Sequence, residues 1–225
     1  IFKYSFMKST IVLATLLIFQ TCVSNGTRPI NRNEQIWSPT EKVQEGLKKA
    51  YFAGGCFWCV EAIYESVKGV DEVYSGYSGG KTKNPNYNQI GTGKTGHAES
   101  VEIIYDPKIV SFGTLVQVFF GSHDPTTANR QGPDRGTQYR SIAFYTNDDE
   151  REIIQKYIEL LEQEGIFSNK IVTEVKPMEK FYYAEEYHQN YERLNPNNPY
   201  VRQVSIPRLR RFQKTYPELL KEKSD

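Results

Sequence analysis

From about residue 46 the apolar positions fall in short runs whose spacing switches between two and three-to-four, the pattern of strands interleaved with helices. Lys49 to Ala53 has strand character and runs into the glycine turn Gly54-Gly55. Directly after it Val60, Ile63, Tyr64 and Val67 recur at helical spacing, and Gly69 supplies a stop. Val70 to Tyr77 alternates as a second strand closed by Ser78-Gly79-Gly80, and residues 81–96 read as a long polar loop. Ser100 to Tyr105 is a third strand, stopped by Asp106-Pro107. Ser111 caps an apolar helix from Phe112 to Phe120, which Gly121 ends. A second polar loop, 122–136, leads to a strand over Thr137 to Tyr145. Asn147 and Asp148 then cap a helix from Glu150 to Glu164, with Ile153, Ile154, Tyr157, Ile158 and Leu161 on one stripe. Lys170 to Val175 reads as a strand and Phe181 to Leu194 as an aromatic, acidic helix. Beyond Tyr200, Arg208, Arg210, Arg211 and Lys214 read as the solvated face of a surface helix. The mixture is irregular, without repeats or a dinucleotide fingerprint, so the class is α+β, one mixed or antiparallel sheet with helices packed on it.

The start of the chain has a different texture. Met7-Lys8, the apolar run Ile11 to Phe19 and then Gln20, Thr21 and Cys22 resemble a secretory signal, and the run is too short to span a membrane. Residues 1–6 would then precede the true start. Cys22 in that place is a candidate lipidated cysteine, which implies an exported protein anchored in a bacterial periplasm or envelope; plain secretion and an uncleaved anchor are the other readings of the segment. Residues 23–45 are polar and read as a tether, so the expected organisation is a signal over 1–22, a tether, a folded domain over 46–200 and a tail over 201–225.

Composition narrows the function only by exclusion. Lys+Arg 28 against Asp+Glu 27 leaves a net charge of +1, so no global field recruits nucleic acid. Three cysteines are too few for a disulfide-stapled fold, and with no His pair at ligand spacing no metal site is expected. Gly93-Lys94-Thr95 lacks the earlier glycine of a phosphate loop, since that position is Asn88.

The chemistry concentrates at Cys56 and Cys59. Both sit where a strand passes through glycines into the first turn of a helix. There the unpaired N–H groups and the positive end of the dipole stabilise a thiolate. Phe57 and Trp58 between them offer an apolar wall. Two plainer readings stand beside this one, a pair of small buried side chains and half of a zinc site.

Gly55-Cys56-Phe57-Trp58, Gly96 to Glu99, Gly136 to Ser141 and Phe181 to Gln189 stand in the same order as in the A-type peptide methionine sulfoxide reductases. The chain resembles that family from about Lys49 to Pro196. The resemblance implies a ferredoxin-like two-layer sandwich and reduction of methionine-S-sulfoxide, free or in proteins, without a bound cofactor. It further implies Cys56 as nucleophile, passing through a sulfenic acid, and Glu99 as proton donor to the sulfoxide oxygen. Tyr87 and Tyr139 would bond that oxygen, Phe57 and Trp58 would hold the S-methyl group, and Asp134 would sit at the pocket. A thioredoxin-like dithiol would return the enzyme to its reduced form, and a monomer is the default. Many relatives carry a resolving cysteine in a glycine-rich C-terminal tail, and many have glycine at the position of Cys59. Here no cysteine follows Cys59, which makes Cys59 the expected resolver. His97 and His188 are expected to be structural or supporting, and His123 has no assigned role. Two other classes stay open: a general thiol–disulfide oxidoreductase using the C-x-x-C pair, and a surface-anchored binding module.

Overall fold

The computed structural model describes residues 37–39 and 43–222; the signal, Cys22 and most of the tether lie outside them. In chain order the first elements are β1 (Lys48–Gly54), α1 (Phe57–Glu65), β2 (Val70–Ser78), α2 (Tyr87–Gly91), β3 (Ala98–Tyr105) and α3 (Phe112–Ser122). They are followed by the two-residue strands β4 (Arg130–Gln131) and β5 (Asp134–Arg135), then β6 (Ser141–Tyr145) and α4 (Asp148–Gln163). The chain closes with β7 (Glu174–Pro177), β8 (Tyr182–Tyr183), α5 (Tyr191–Leu194) and α6 (Ile206–Thr215).

Six strands form one sheet in the order β7-β6-β1-β3-β2-β8, antiparallel except for the parallel β6–β7 pair, while β4 and β5 make a separate small hairpin. The inner four strands with α1 and α3 are a βαββαβ unit of order β6-β1-β3-β2, the ferredoxin-like arrangement the family resemblance implies. Strand alternation sets the two faces. Ala50 and Phe52 of β1 lie beside Ile103 and Val101 of β3 and point to the helices, while Ala53 pairs with Ile142 on the other side. Phe52 is fully buried and stacks on Phe119 of α3 (ring centroids 4.9 Å apart) and Tyr64 of α1 (5.7 Å). Removing such a ring costs about 3–5 kcal/mol. Tyr64 is also buried, so its hydroxyl needs a partner. It donates to Leu115 O at 2.9 Å, pinning α1 to α3.

Several expectations are corrected. Phe181 to Leu194 is not one helix. Tyr182 and Tyr183 add an edge strand to β2, a short turn covers Glu186 to His188, and Asn190 at φ +55 separates it from α5. Residues 137–139 form a 3₁₀ turn before β6 begins at Ser141, and β7 starts at Glu174 rather than Lys170. The polar loop 81–96 contains α2, started by a capping box between Asn86 and Gln89. Gly121 does not stop α3. It lies inside the helix, where a Cβ would stand 2.5 Å from Tyr216, so its role is to let the tail dock. The tail belongs to the same unit as the rest of the described chain: Phe212 is buried, and so is Arg208, which the sequence reading put in solvent. Trp37, within the expected tether, lies 5.9 Å from both Tyr74 and Tyr183 on the sheet edge. Among the described residues no helix is long and apolar enough to cross a membrane.

Candidate active site

The site forms where β1 ends. Gly55 takes φ +93, and a side chain there would collide with Gln131 of the small hairpin, its Cβ falling 2.6 Å from that of Gln131. Glycine is therefore needed both for the turn and for the close approach. The turn delivers Cys56 to the N-cap of α1, where it is 6% exposed. Cys56 lines a cavity of about 280 Å³ together with Phe57, Trp58, Tyr87, Glu99, Asp134, Tyr139, Asn198 and Tyr200. Seven of these were singled out in the sequence, although α1, α2, β3, β5 and the turn after β5 supply them separately. Cys59 lies one turn into α1, 1% exposed and behind the cavity wall; both thiols are free. A second depression of about 340 Å³, edged by Lys81, Lys83, Lys176 and Lys180, contains no cysteine.

Glu99 stands at the start of β3 on the helix-facing side and is buried. The Phe57 backbone N–H, one of the open donors at the start of α1, donates to its Oε2 at 3.0 Å. Burial pushes the Glu99 carboxyl up to about 8, with the nearby Asp134 charge adding to the shift and the Phe57 bond opposing it. At neutral pH Glu99 is therefore an acid. Because Oε2 accepts the amide hydrogen, Oε1 is the oxygen free to carry the proton. Burial also raises Tyr87, to about 12, and Tyr139 further, with the Glu99 charge next in each case, so both remain phenols able to donate.

The two thiols titrate as a pair. Cys59 is pulled down to about 6, first by the hydrogen-bonding influence of the Cys56 thiol and, against its burial, by the Arg208 charge. Cys56 is pushed well up, first by its burial and then by its neighbour Cys59. The pair thus releases one proton readily and holds the second. The α1 N-terminus favours the charge on Cys56 and Arg208 favours it on Cys59, so either sulfur can carry it as the proton shifts.

The aromatic wall is built from packing. Trp58 stacks on Tyr191 (3.8 Å, 9° between planes), and its indole N–H donates to His188 Nδ1 at 3.1 Å. Phe57 packs against both Tyr87 and His188, which also touch each other (ring centroids 4.4 Å apart). Burial lowers His188 to about 4, leaving a neutral ring that can accept that bond. His97 fixes the loop before β3, accepting from Gly80 N at 3.1 Å and donating to Thr82 O at 2.8 Å. His123 spans Phe119 O and Ser141 Oγ, both at 2.7 Å, and serves as a buried strut.

The sequence reading missed Tyr200, Asn198 and Arg208. The Tyr200 hydroxyl donates to Asp134 Oδ2 at 2.6 Å and lies 4.0 Å from Cys59 Sγ. Its only signal was its position in the segment where many relatives are glycine-rich. Among the described residues no group of three or more His, Cys, Asp or Glu side chains is placed to hold a metal ion.

A thiol at a helix start, faced by a buried acid and two phenols on a ferredoxin-like frame, defines the class as a thiol-dependent oxidoreductase. The model of the peptide methionine sulfoxide reductase family matches residues 48–220. Peptide methionine sulfoxide reductase MsrA 1 of Rhodopirellula baltica is 51% identical over 180 residues, covering 80% of this chain and 93% of the relative. MsrA of Nautilia profundicola is 52% identical over 168 residues, 75% of this chain and 95% of the relative. Among solved structures, reduced Mxr1 of Saccharomyces cerevisiae superimposes with TM-score 0.65 at 35% identity, covering 72% of this chain and 94% of that one. Methionine sulfoxide reductase A of Corynebacterium diphtheriae gives 0.60 at 38% identity, covering 68% and 77%. The chain belongs to the peptide methionine sulfoxide reductase family, A type.

Proposed function

We propose that this chain reduces methionine-S-sulfoxide, free or within oxidised proteins, by attack of Cys56 on the sulfoxide sulfur. The observation that carries this reading is the convergence on one cavity of Cys56, an acid form of Glu99, the phenols of Tyr87 and Tyr139, and the Phe57–Trp58 wall. A sulfoxide is a weak electrophile with a strongly hydrogen-bonding oxygen, so the oxygen must be protonated as the thiolate attacks. Glu99 supplies the proton, the two phenols bond the oxygen, and the apolar wall takes the S-methyl group. The sulfur–oxygen bond of the substrate breaks, methionine leaves with two electrons taken from Cys56, and the oxygen stays on Cys56 as sulfenic acid.

Cys59 then attacks the Cys56 sulfur. The S–S bond forms, the S–O bond breaks, and hydroxide takes up a proton and leaves as water. Residues three apart at a helix start have Cα atoms close enough for a disulfide after modest adjustment. An external dithiol of the thioredoxin type would reduce that bond. The export implied by Met7 to Cys22 is part of the proposal, and acylation of Cys22 in the native protein would be read by mass spectrometry.

The test is turnover of the two separate sulfoxide epimers with dithiothreitol. The reading expects methionine from the S epimer alone and none from Cys56→Ser. Equal turnover of the R epimer, or an active Cys56→Ser, would overturn it.

A further inference from the structure

Arg208 is 7% exposed, yet its guanidinium bonds only neutral groups: Nε donates to Ser122 O at 2.7 Å and Nη2 to Gly54 O at 2.9 Å. None of the ion pairs among the described residues, drawn at N···O distances up to 4.0 Å, involves it. A guanidinium has five N–H donors and keeps its charge, so burying it without a counter-charge is costly. Its place is informative. Gly54 O belongs to the turn that presents Cys56, and Nη1 lies 3.5 Å from where a Cβ on Gly55 would stand. The guanidinium therefore lies against the Gly54–Gly55 turn that leads into Cys56 and the first turn of α1.

Two acidic groups feel its charge, Asp134 and Cys59. Asp134 is half-buried and its carboxylate is already bonded by Tyr200. Cys59 is fully buried. Around Cys59 stand Cys56 on its own helix, Tyr200 before α6, Arg208 on α6 and Glu99 across the cavity on β3. Ser205 also reaches Cys59 with its hydroxyl, favouring the thiolate, and bonds the buried Glu192, while His123 is neutral. Arg208 is the one cation in that set.

We propose that Arg208 is the counter-ion of the Cys59 thiolate, so that Cys59 enters and leaves the Cys56–Cys59 disulfide as an anion while the external reductant exchanges only on Cys56. This deepens, and rests on, the reading of Cys59 as resolver. In the reductive half-reaction a thiolate of the dithiol attacks Cys56 Sγ, the sulfur that lines the cavity. The mixed S–S bond forms, the Cys56–Cys59 bond breaks, and the electron pair departs on Cys59 opposite Arg208. The second reductant thiol, deprotonated, attacks its own partner sulfur, and Cys56 leaves and takes up a proton. A stabilised leaving thiolate makes the first of these steps faster. Arg208 acts through Cys59, as a positioning charge.

The test is ultraviolet titration of the Cys59 thiolate in Cys56→Ser protein, whose serine hydroxyl keeps a hydrogen-bond donor beside Cys59. The expected result is ionisation clearly below the ordinary thiol value of about 8.5. Adding Arg208→Met should raise it by about one unit or more, and Arg208→Lys should restore much of the difference. Cys59 ionising at or above the ordinary value in Cys56→Ser overturns the proposal, an arm that needs no Arg208 variant should Arg208→Met fail to fold. An unmoved titration in folded Arg208→Met overturns it too. Peptide mapping of oxidised wild type separates the two levels. With the Cys56–Cys59 bond present, an unmoved titration removes only the role of Arg208; without the bond, the resolver reading falls and the leaving role falls with it.

Discussion

The Phe57 amide N–H donates to Glu99 Oε2 at 3.0 Å, and this one bond couples the acid to the helix whose N-cap is Cys56. The bond fixes the Glu99 carboxyl against the backbone of the residue that follows Cys56, so the acid is placed relative to the turn that carries the thiol. Glu99→Gln keeps an acceptor for that amide but has no acidic proton. We expect kcat to fall on the order of 10²–10⁴ with KM little changed. Steady-state kinetics with the S-sulfoxide checks this; a variant within a few-fold of wild type would remove Glu99 from the chemistry.

The pH dependence follows from the same groups. One proton must leave the thiol pair, which begins near 6 through Cys59, and one must stay on Glu99, which loses it near 8. Activity should rise as pH climbs through the first value and fall as it climbs through the second. In Glu99→Gln the residual rate should keep the rising limb and lose the falling one. A wild-type profile flat to well above pH 8 would contradict the assignment.

Tyr87 and Tyr139 share one developing charge, so either can partly cover for the other. Each single change to Phe should lower kcat by roughly ten- to a hundred-fold, and the double variant by more than either, near the range of a lost oxyanion donor. The apolar wall is untouched, so substrate binding should change less than kcat. The KM-against-kcat split reads this directly.

Glu61 gives a prediction about stability instead of rate. It is buried in α1, accepts Ser75 Oγ at 2.8 Å and Asn190 N–H at 2.7 Å, and is pushed up to about 8, first by desolvation. The folded state thus holds a proton that the unfolded chain releases near the ordinary carboxyl value of about 4.3. Its stabilising contribution is complete below that value and is lost as pH rises through about 8. The melting temperature should fall between those limits, and Glu61→Gln should make the fall shallower, the remainder coming from Glu99, Glu65, Asp134 and Glu192, whose carboxyls burial also raises. An equal slope in both proteins would refute the linkage.

The elements legible in the sequence were those whose signals are local. The strand over Val70 to Tyr77, the Ser111 cap and the stripe of α4 each lie within one element, and each was found within a few residues of its place, save that Ile153 of the stripe faces solvent while Ile154, Tyr157, Ile158 and Leu161 face the core. The site residues were legible because four short motifs carry them, and the fold gathers them into one cavity. What could not be read depends on distant partners. Tyr200 acquires its role from Asp134, 66 residues away, and Arg208 from Gly54, 154 residues away. Tyr182 and Tyr183 look helical beside acidic neighbours until the free edge of β2 is known to be there. An arginine two places into a basic helix resembles its solvated neighbours Arg210 and Arg211, and only two carbonyls from other elements draw it inward.

The central claim is that Cys56 takes the oxygen and Cys59 removes it. Reduced protein given one equivalent of methionine-S-sulfoxide without reductant, then quenched, digested and weighed, tests it most directly. The account predicts one methionine released per chain, a mass lower by two hydrogens and a Cys56–Cys59 linked peptide, with Cys59→Ser holding one extra oxygen on Cys56. Methionine release with Cys59 still free in the wild type would contradict the resolver, and no release at all would contradict the whole account.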